Sequence, residues 1–375
     1  MKRLTLAEAS AILIGTQIGA GVLGLPYALK DTGFGGIAII VAVGVLTLLT
    51  ALFVLELAVQ GEGTLTSLAR ETLGTAGGWL MLASISVLSY GALIAYIAGS
   101  GDILSSLLGI DKSVSALIFW AIMSGIVLMG LKASGEALKA SGEAELMLNF
   151  LLLGALTVAV ALMLPRVDVG NPTSVNTSTR VSGIGVAIFA YVSHMVVPEM
   201  YKGLGSAEKT KKAVLIGYLV PMAFYSLFIF AFVGALGGDT PQLATAALED
   251  YYGNVGKILG LVLPLAAIST SYIGIGFAQM DNLREAFRLD KRSAWLLTVV
   301  PPLLVYFAGL KSFVSALWLA GTFGGLLYAG ILPVAMYVKT RKVCPPKCVA
   351  VPHEVAYFAG VVFFMVFVYS VVSLV

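Results

Sequence analysis

The run Gly15-Thr16-Gln17-Ile18-Gly19-Ala20-Gly21 lies in the middle of an apolar stretch, residues 4–29. A stretch of that length crosses a hydrocarbon core of about 30 Å at about 1.5 Å per residue. A membrane helix gains nothing from three glycines and two polar side chains at its midpoint unless the backbone opens there. Unpaired N–H and C=O groups in lipid cost several kcal/mol each, so an opened backbone persists only against a cavity or a ligand. The chemistry on offer is therefore binding by freed peptide groups, as in the broken helices of secondary transporters. Pro26, one turn further on, supports a break.

A second set of donors sits at Ala267-Ile268-Ser269-Thr270-Ser271. A small residue followed at i+3 and i+4 by hydroxyls puts one carbonyl and two side-chain oxygens on one helical face. Together with carbonyls of Gly15 and Ile18, the set Ala267, Thr270 and Ser271 offers five oxygens to a hard monovalent cation. The alternative is that Ser269, Thr270 and Ser271 bond back to their own helix. His194 and Glu199 are polar residues within an apolar segment, where such residues are functional by default. His194 is either a proton carrier, with an ordinary pKa of about 6.5, or a neutral ring bonded to a backbone group at a helix break. Glu199 is expected to pair with a lysine or cap a loop. Glu56 and Asp102 are expected to reach the interface, and Tyr90 and Tyr96 to face a cavity or pack helices.

The elements that must hold these residues are membrane helices. Hydrophobic residues make up 59% of the 375 residues and charged residues 11%, against about 25% charged in soluble domains. No cleavable leader pattern is evident at the start. Cys344 and Cys348 lie in a basic loop with only His353 nearby, which makes no zinc site and reads as incidental. Eleven apolar segments are expected, at residues 4–29, 34–60, 77–108, 114–131, 145–165, 181–201, 212–237, 254–280, 294–309, 312–338 and 354–375. Residues 64–73 form a short amphipathic piece suited to the membrane surface. With the N-terminus inside, Lys30, Lys112, Arg166, Arg180, Lys257 and Lys311 fall outside, and the other 17 of 23 basic residues fall inside. That bias predicts a multi-pass cell-membrane protein with the N-terminus in the cytoplasm and the C-terminus outside.

The segments divide into two halves. A polar stretch, RVDVGNPTSVNTSTR, separates residues 1–165 from residues 181–338. The sixth segment opens the second half with its own interruption: Gly183 and Gly185, then Tyr191-Val192-Ser193-His194, then Pro198-Glu199. Two interrupted spans, each opening a five-span half, point to an inverted repeat. Residues 353–375 are then an eleventh span outside it. Breaks are expected around Gly15–Gly21 and Ala190–His194.

GTQIGAGVLGLPYA resembles the first-span motif of the amino acid/auxin permease group of the amino acid–polyamine–organocation superfamily. FAYVSHMVVPEMYKGL resembles that group's sixth span. KKAVLIGYLVPMAFYSLFIFAFVGAL and TSYIGIGFAQMDNLREAF are similar to spans seven and eight of bacterial aromatic amino acid permeases. The resemblance implies an all-α, LeuT-like five-plus-five inverted repeat and amino-acid uptake coupled to sodium or protons. The oxygens named above then resemble the sodium site between spans one and eight. In some proton-coupled relatives a lysine on span five fills that place; here residues 145–165 have no lysine.

For an amino-acid substrate, the carboxylate wants N–H groups at a helix start, which Gly19, Ala20 and Gly21 can supply. The alternative for these glycines is tight helix packing. The ammonium wants carbonyls, expected from the opened stretch Ala190, Tyr191 and Ser193. Thr16, Gln17 and Tyr90 complete the expected substrate set. The expected function is ion-coupled symport of a neutral amino acid by alternating access, with sodium as the coupling ion; the alternative is a proton-coupled aromatic amino acid permease using His194. No cofactor, nucleic acid or protein partner is expected beyond substrate, ion and bilayer. A channel would show charged rings or repeated carbonyl filters. An enzyme would show clustered His, Asp or Cys. A pump would carry a GxxxxGK loop. None of these is present in the sequence.

Overall fold

A computed structural model describes residues 4–61, 63–129, 150–170, 180–341 and 348–372, with the side chains of 180–182 excepted. Lys2, Arg3, Lys132, Lys139, Lys342, Lys347 and Cys344, and residues 145–149 of the fifth apolar segment, lie outside the described residues.

The described residues are helical throughout their regular structure. α1 is Leu6–Gln17, followed by a 3-10 turn, Ala20–Gly24, and α2, Leu25–Leu29. Next come α3 (Gly35–Gln60), α4 (Leu65–Leu73), α5 (Thr75–Leu108) and α6 (Lys112–Met129). α7 is Phe150–Arg166. The second half holds α8 (Arg180–Tyr191), α9 (Val196–Leu204), α10 (Ala207–Leu236), α11 (Leu248–Lys257), α12 (Leu263–Phe287) and α13 (Lys291–Phe307). α14 (Phe313–Leu319), α15 (Leu332–Arg341) and α16 (His353–Val372) complete the chain. Two π-helical stretches, Ile258–Val262 and Ala320–Ile331, join α11 to α12 and α14 to α15. Among the described residues, eight helical stretches are long and apolar enough to cross a membrane, or nine with the bent pair Leu6–Gln17 and Ala20–Thr32 counted as one span. This is an integral, multi-pass membrane protein.

Local chemistry sets the helix ends. Thr5 and Glu8 form a reciprocal capping box at the start of α1: Glu8 N–H donates to Thr5 Oγ1 at 3.2 Å, and Thr5 N–H to Glu8 Oε2 at 2.8 Å. Asp290 caps α13, and the Ser293 hydroxyl with the N–H groups of Ser293 and Arg292 holds its carboxyl below the usual aspartate value. Large apolar side chains that face outward, such as Phe358 and Phe364 on α16, are more than half exposed. In a soluble protein such surface would be a liability; in a bilayer it is the solvated face.

The interior closes by near-contact of small residues. A Cβ on Gly321 would sit 1.8 Å from the Gly185 carbonyl oxygen, where the second π stretch crosses α8. A Cβ on Gly324 would sit 2.5 Å from Leu88 N, where the same stretch lies along α5. Lipid tails give helices no hydrophobic reason to associate, so backbone proximity of this kind supplies much of the attraction.

Loop contacts sort onto two ends. At one end Lys30 Nζ donates to the Gly238 carbonyl at 2.7 Å, and Asp102 pairs with Lys112. At the other end Leu4 N–H donates to the Gly203 carbonyl at 3.0 Å, and Lys291 Nζ to the Met129 carbonyl at 3.2 Å. Glu199 pairs there with Lys202 at 2.9 Å.

Glu56 departs from expectation. Rather than reaching the interface, it is buried at the end of α3. Its Oε2 accepts from Cys348 N–H (2.8 Å), Val349 N–H (2.7 Å) and Cys348 Sγ (3.0 Å). Cys348 is therefore not incidental: it ties the segment before α16 to the last turns of α3. Burial, and then the Glu56 carboxylate, pushes its thiol up to about 12. Against an ordinary value of 9.0, this leaves roughly a thousandfold less thiolate at neutral pH. In the folded protein, maleimide at pH 8 is expected to label Cys348 far more slowly than in urea, read by mass spectrometry of its peptide. Equal rates would show that the carboxylate does not hold the thiol proton.

Candidate functional site

Both expected interruptions are helix breaks, and both are narrower than expected. α1 stays helical through Gly15, Thr16 and Gln17, with Ile18 N–H still reaching the Ile14 carbonyl at 2.8 Å. The Thr16 hydroxyl bonds back to the Ile12 carbonyl at 2.8 Å. The backbone opens only at Ile18 and Gly19, where Gly19 N–H turns to the Gln17 carbonyl at 2.9 Å. It restarts as a 3-10 turn with Val22 N–H on the Gly19 carbonyl at 3.3 Å, and the axis bends by 41°. The N–H groups of Ala20 and Gly21 open this turn and have no backbone acceptor among the described residues. In the second break α8 runs to Tyr191 and α9 starts at Val196, so the opened residues are 192–195. Ala190 and Tyr191 still belong to the helix.

Three phenols pair peptide groups these breaks release, and a Gln17–Ser193 side-chain bridge joins them. The Tyr225 hydroxyl donates to the Gln17 carbonyl at 2.7 Å and lies 3.1 Å from the Ala190 carbonyl. Gln17 Nε2 donates to Ser193 Oγ at 3.0 Å, and Ser193 Oγ donates to the Tyr218 hydroxyl at 3.1 Å. The Tyr218 hydroxyl in turn faces the Tyr191 carbonyl at 3.3 Å. Met195 N–H donates to the Tyr328 hydroxyl at 2.5 Å, from the second π stretch. Each buried peptide group left unpaired would cost about 1–3 kcal/mol, so these phenols make the two breaks affordable. Tyr218 and Tyr225 are seven residues apart on α10, two turns, and so share one face. No motif in the sequence singled out Tyr218, Tyr225 or Tyr328.

A cavity of about 330 Å³ lies between the breaks, α5 and α12. Gly15, Thr16, Gln17, Gly19, Ala20 and Gly21 line one side. Phe189, Ala190, Val192 and Met195 line another, and Ile85, Leu88, Ser89 and Tyr96 of α5 a third. α12 contributes Thr270, Ser271, Gly274, Ile275, Ala278 and Asn282. The cavity thus follows α12 from its middle toward its final turn. Its walls are mostly apolar with a few polar groups, the usual make-up of a small-molecule site.

Three expected substrate residues do not line it. Tyr90 points to α13, its hydroxyl donating to the Leu297 carbonyl at 2.8 Å, and Tyr96 lines the cavity in its place. Tyr191 is buried against Tyr218 and Tyr225, with ring centroids 6.2 and 5.2 Å apart. Ser193 is buried in the bridge to Gln17. Of the carbonyls expected to meet an ammonium, that of Tyr191 already faces the Tyr218 hydroxyl, and that of Ala190 shares the Tyr225 hydroxyl with Gln17. His194 is fully buried and also outside the lining: its Nε2 lies 2.9 Å from Thr50 Oγ1. The Thr50 hydroxyl also lies 3.0 Å from the Thr47 carbonyl. Nδ1 stands without a partner among the described residues.

Of the expected cation ligands, Gly15, Thr270 and Ser271 line the cavity, whereas Ile18 and Ala267 are buried beside it. The break and α12 meet here, since a Cβ on Gly19 would lie 3.7 Å from Ser271 Oγ. The Ser269 hydroxyl bonds back to the Leu265 carbonyl at 2.7 Å, and that of Thr270 to the Ala267 carbonyl at 3.0 Å. This is the back-bonding alternative for Ser269 and Thr270, although a hydroxyl that donates its hydrogen this way keeps its lone pairs.

Comparison with known proteins gives this arrangement a family. The chain is 27% identical over 357 residues to tyrosine-specific transport system 1 of Haemophilus influenzae, covering 88% of this chain and 87% of that one. It is 24% identical over 353 residues to glutamine transporter 2 of Aliivibrio fischeri, with 88% of each chain covered. It is 24% identical over 383 residues to the tryptophan-specific transport protein of Pseudomonas aeruginosa, covering 91% and 88%. The model of the tryptophan/tyrosine permease family matches residues 2–372, and the chain belongs to that family.

Proposed function

We propose that the protein is a secondary active transporter that carries a neutral amino acid with a coupling ion by alternating access. The observation that carries this reading is the cavity bounded by two helix breaks. There the N–H groups of Ala20 and Gly21 are placed for a carboxylate at the start of a helical turn. Family membership supports it, and the similar proteins are named for tyrosine, tryptophan and glutamine, all neutral. With phenols beside the Ala190 and Tyr191 carbonyls, the ammonium goes to the carbonyl of Val192, which with Met195 makes up the opened residues of the second break that line the cavity. The apolar side chains of Ile85, Leu88, Phe189 and Ile275 receive the side chain.

In this reading the chain crosses eleven times, as two inverted five-span repeats of the amino acid–polyamine–organocation type and a final span, α16. α7 and α13, both short, count among the crossings. The bias of basic residues puts the N-terminus and the end of α12 in the cytoplasm, so the cavity faces inward. A panel of amino acids tested by counterflow in proteoliposomes, with and without sodium, tests the function. No exchange of any neutral amino acid by folded, reconstituted protein would reject it.

Sodium is the coupling ion in this reading, held between the first break and α12 by Thr270, Ser271 and carbonyls of Gly15, Ile18 and Ala267. Bound sodium braces the broken helix against α12, so by linkage it tightens substrate binding and substrate tightens sodium binding by the same factor. Substrate affinity in sodium is expected to exceed that in choline at fixed pH by about tenfold or more. The pair Thr270→Ala with Ser271→Ala is expected to erase the difference. Equal affinities in the wild-type protein, with uptake that follows an imposed pH gradient, would transfer the coupling to protons and to His194.

A further inference from the structure

We propose that Tyr225 is a positioning residue for the cavity: its one hydroxyl fastens the first break to the second and so sets the spacing of the groups that meet the substrate. This rests on the reading of the cavity as a substrate site. The ring is fully buried on α10 and is not itself part of the cavity lining. Its hydroxyl lies between two carbonyls that come from different broken helices, Gln17 at 2.7 Å and Ala190 at 3.1 Å. Two carbonyl oxygens facing one point repel each other unless a donor sits between them, and this hydroxyl is that donor. Gln17 and Ala190 both line the cavity. Gln17 is the last helical residue before the N–H groups of Ala20 and Gly21, and Ala190 stands two residues before Val192. The distance between the carboxylate and ammonium positions is thus fixed from behind.

The neighbouring contacts support the same role. Gln17 Nε2 reaches across to Ser193, giving the two breaks a second link, but one that depends on a flexible amide. Tyr225 packs against Tyr191, whose ring centroid is 5.2 Å away at an interplanar angle of 60°. A rigid ring with a single donor spends little conformational entropy in holding that geometry.

The test compares Tyr225→Phe with Tyr272→Phe. The second variant removes a buried hydroxyl from the contact with Ser124 at 2.8 Å between α6 and α12, a contact that includes no residue of either break. Hydrogen exchange is measured for segments 14–24 and 189–197, and substrate Kd, KM and maximal rate for both variants. In Tyr225→Phe both segments are expected to exchange faster together, and Kd and KM to rise about tenfold with the maximal rate kept. Tyr272→Phe is expected to leave both segments and Kd unchanged. Unchanged exchange in Tyr225→Phe, or the same response from both variants, would overturn the proposal. Where Tyr225→Phe yields no folded protein, 3-fluorotyrosine at position 225 keeps the ring and makes a stronger donor. Slower exchange in both segments is then expected, and unchanged exchange overturns the proposal. The exchange measurement needs no substrate, so a wild-type protein that binds no amino acid rejects the transport reading without deciding the role of Tyr225.

Discussion

Gly19→Leu is expected to abolish substrate binding and uptake while leaving a folded protein. A Cβ at Gly19 meets only Ser271 Oγ, at 3.7 Å, an ordinary contact. The added side chain therefore enters the cavity instead of the packed interior, and it covers the N–H groups at the start of the next turn. A carboxylate needs both the space and those donors, so affinity should fall at least a hundredfold, about 2.7 kcal/mol. The thermal unfolding midpoint in detergent should stay near that of the wild type. Gly21 differs: a Cβ there meets the Phe189 ring at 3.0 and 3.1 Å. Gly21→Leu must displace Phe189 and should lose stability as well as binding, which makes Gly19 the cleaner probe. Normal uptake by a folded Gly19→Leu protein would place the substrate elsewhere.

Gly321→Ala is expected to be among the most destabilising single methyls at the described residues. The new carbon would sit 1.8 Å from the Gly185 carbonyl oxygen and 3.0 Å from Phe189 N. Both obstacles are backbone, so no side-chain rotation relieves them, and α8 must part from the π stretch. Overpacking a core costs about 1–3 kcal/mol when side chains can adjust; here the cost should reach or pass the upper end. Loss of a monodisperse peak after solubilisation, or a lowered unfolding midpoint, is the expected result. Gly125→Ala on α6, where nothing lies within 4 Å of the new carbon, is the control and should be neutral. Equal stability of the two variants would show that the α8 crossing is looser than its geometry indicates.

The two breaks were legible because their signal is local. Glycine and polar residues at the centre of an apolar segment are out of place whatever surrounds them, so Gly15–Gly21 and Tyr191–His194 marked themselves. Their extent was not legible: Gly15, Thr16 and Ala190 stay helical because an intact ladder is cheaper than an open one wherever packing allows it. The small and hydroxyl residues of α12 were likewise visible from their spacing on one face. Glu56 and Cys348 were misjudged because they are 292 positions apart and meet only in the fold.

The sequence by itself determined that the chain is helical and lives in a membrane, since hydropathy, glycine placement and basic-residue bias are properties of residues and their near neighbours. Tertiary structure alone decided which groups close the opened backbone. Tyr225 reaches the Gln17 carbonyl across 208 positions, and Gln17 reaches Ser193 across 176. A tyrosine on an apolar helix has the same local pattern whether it faces lipid, packs a core or caps a distant carbonyl. Tyr90, turned to Leu297, and Tyr96, turned to the cavity, show this within a single helix. Direction around a helix follows from sequence only where one face is polar, and in lipid both faces are apolar, so packing of the neighbouring helices makes the choice.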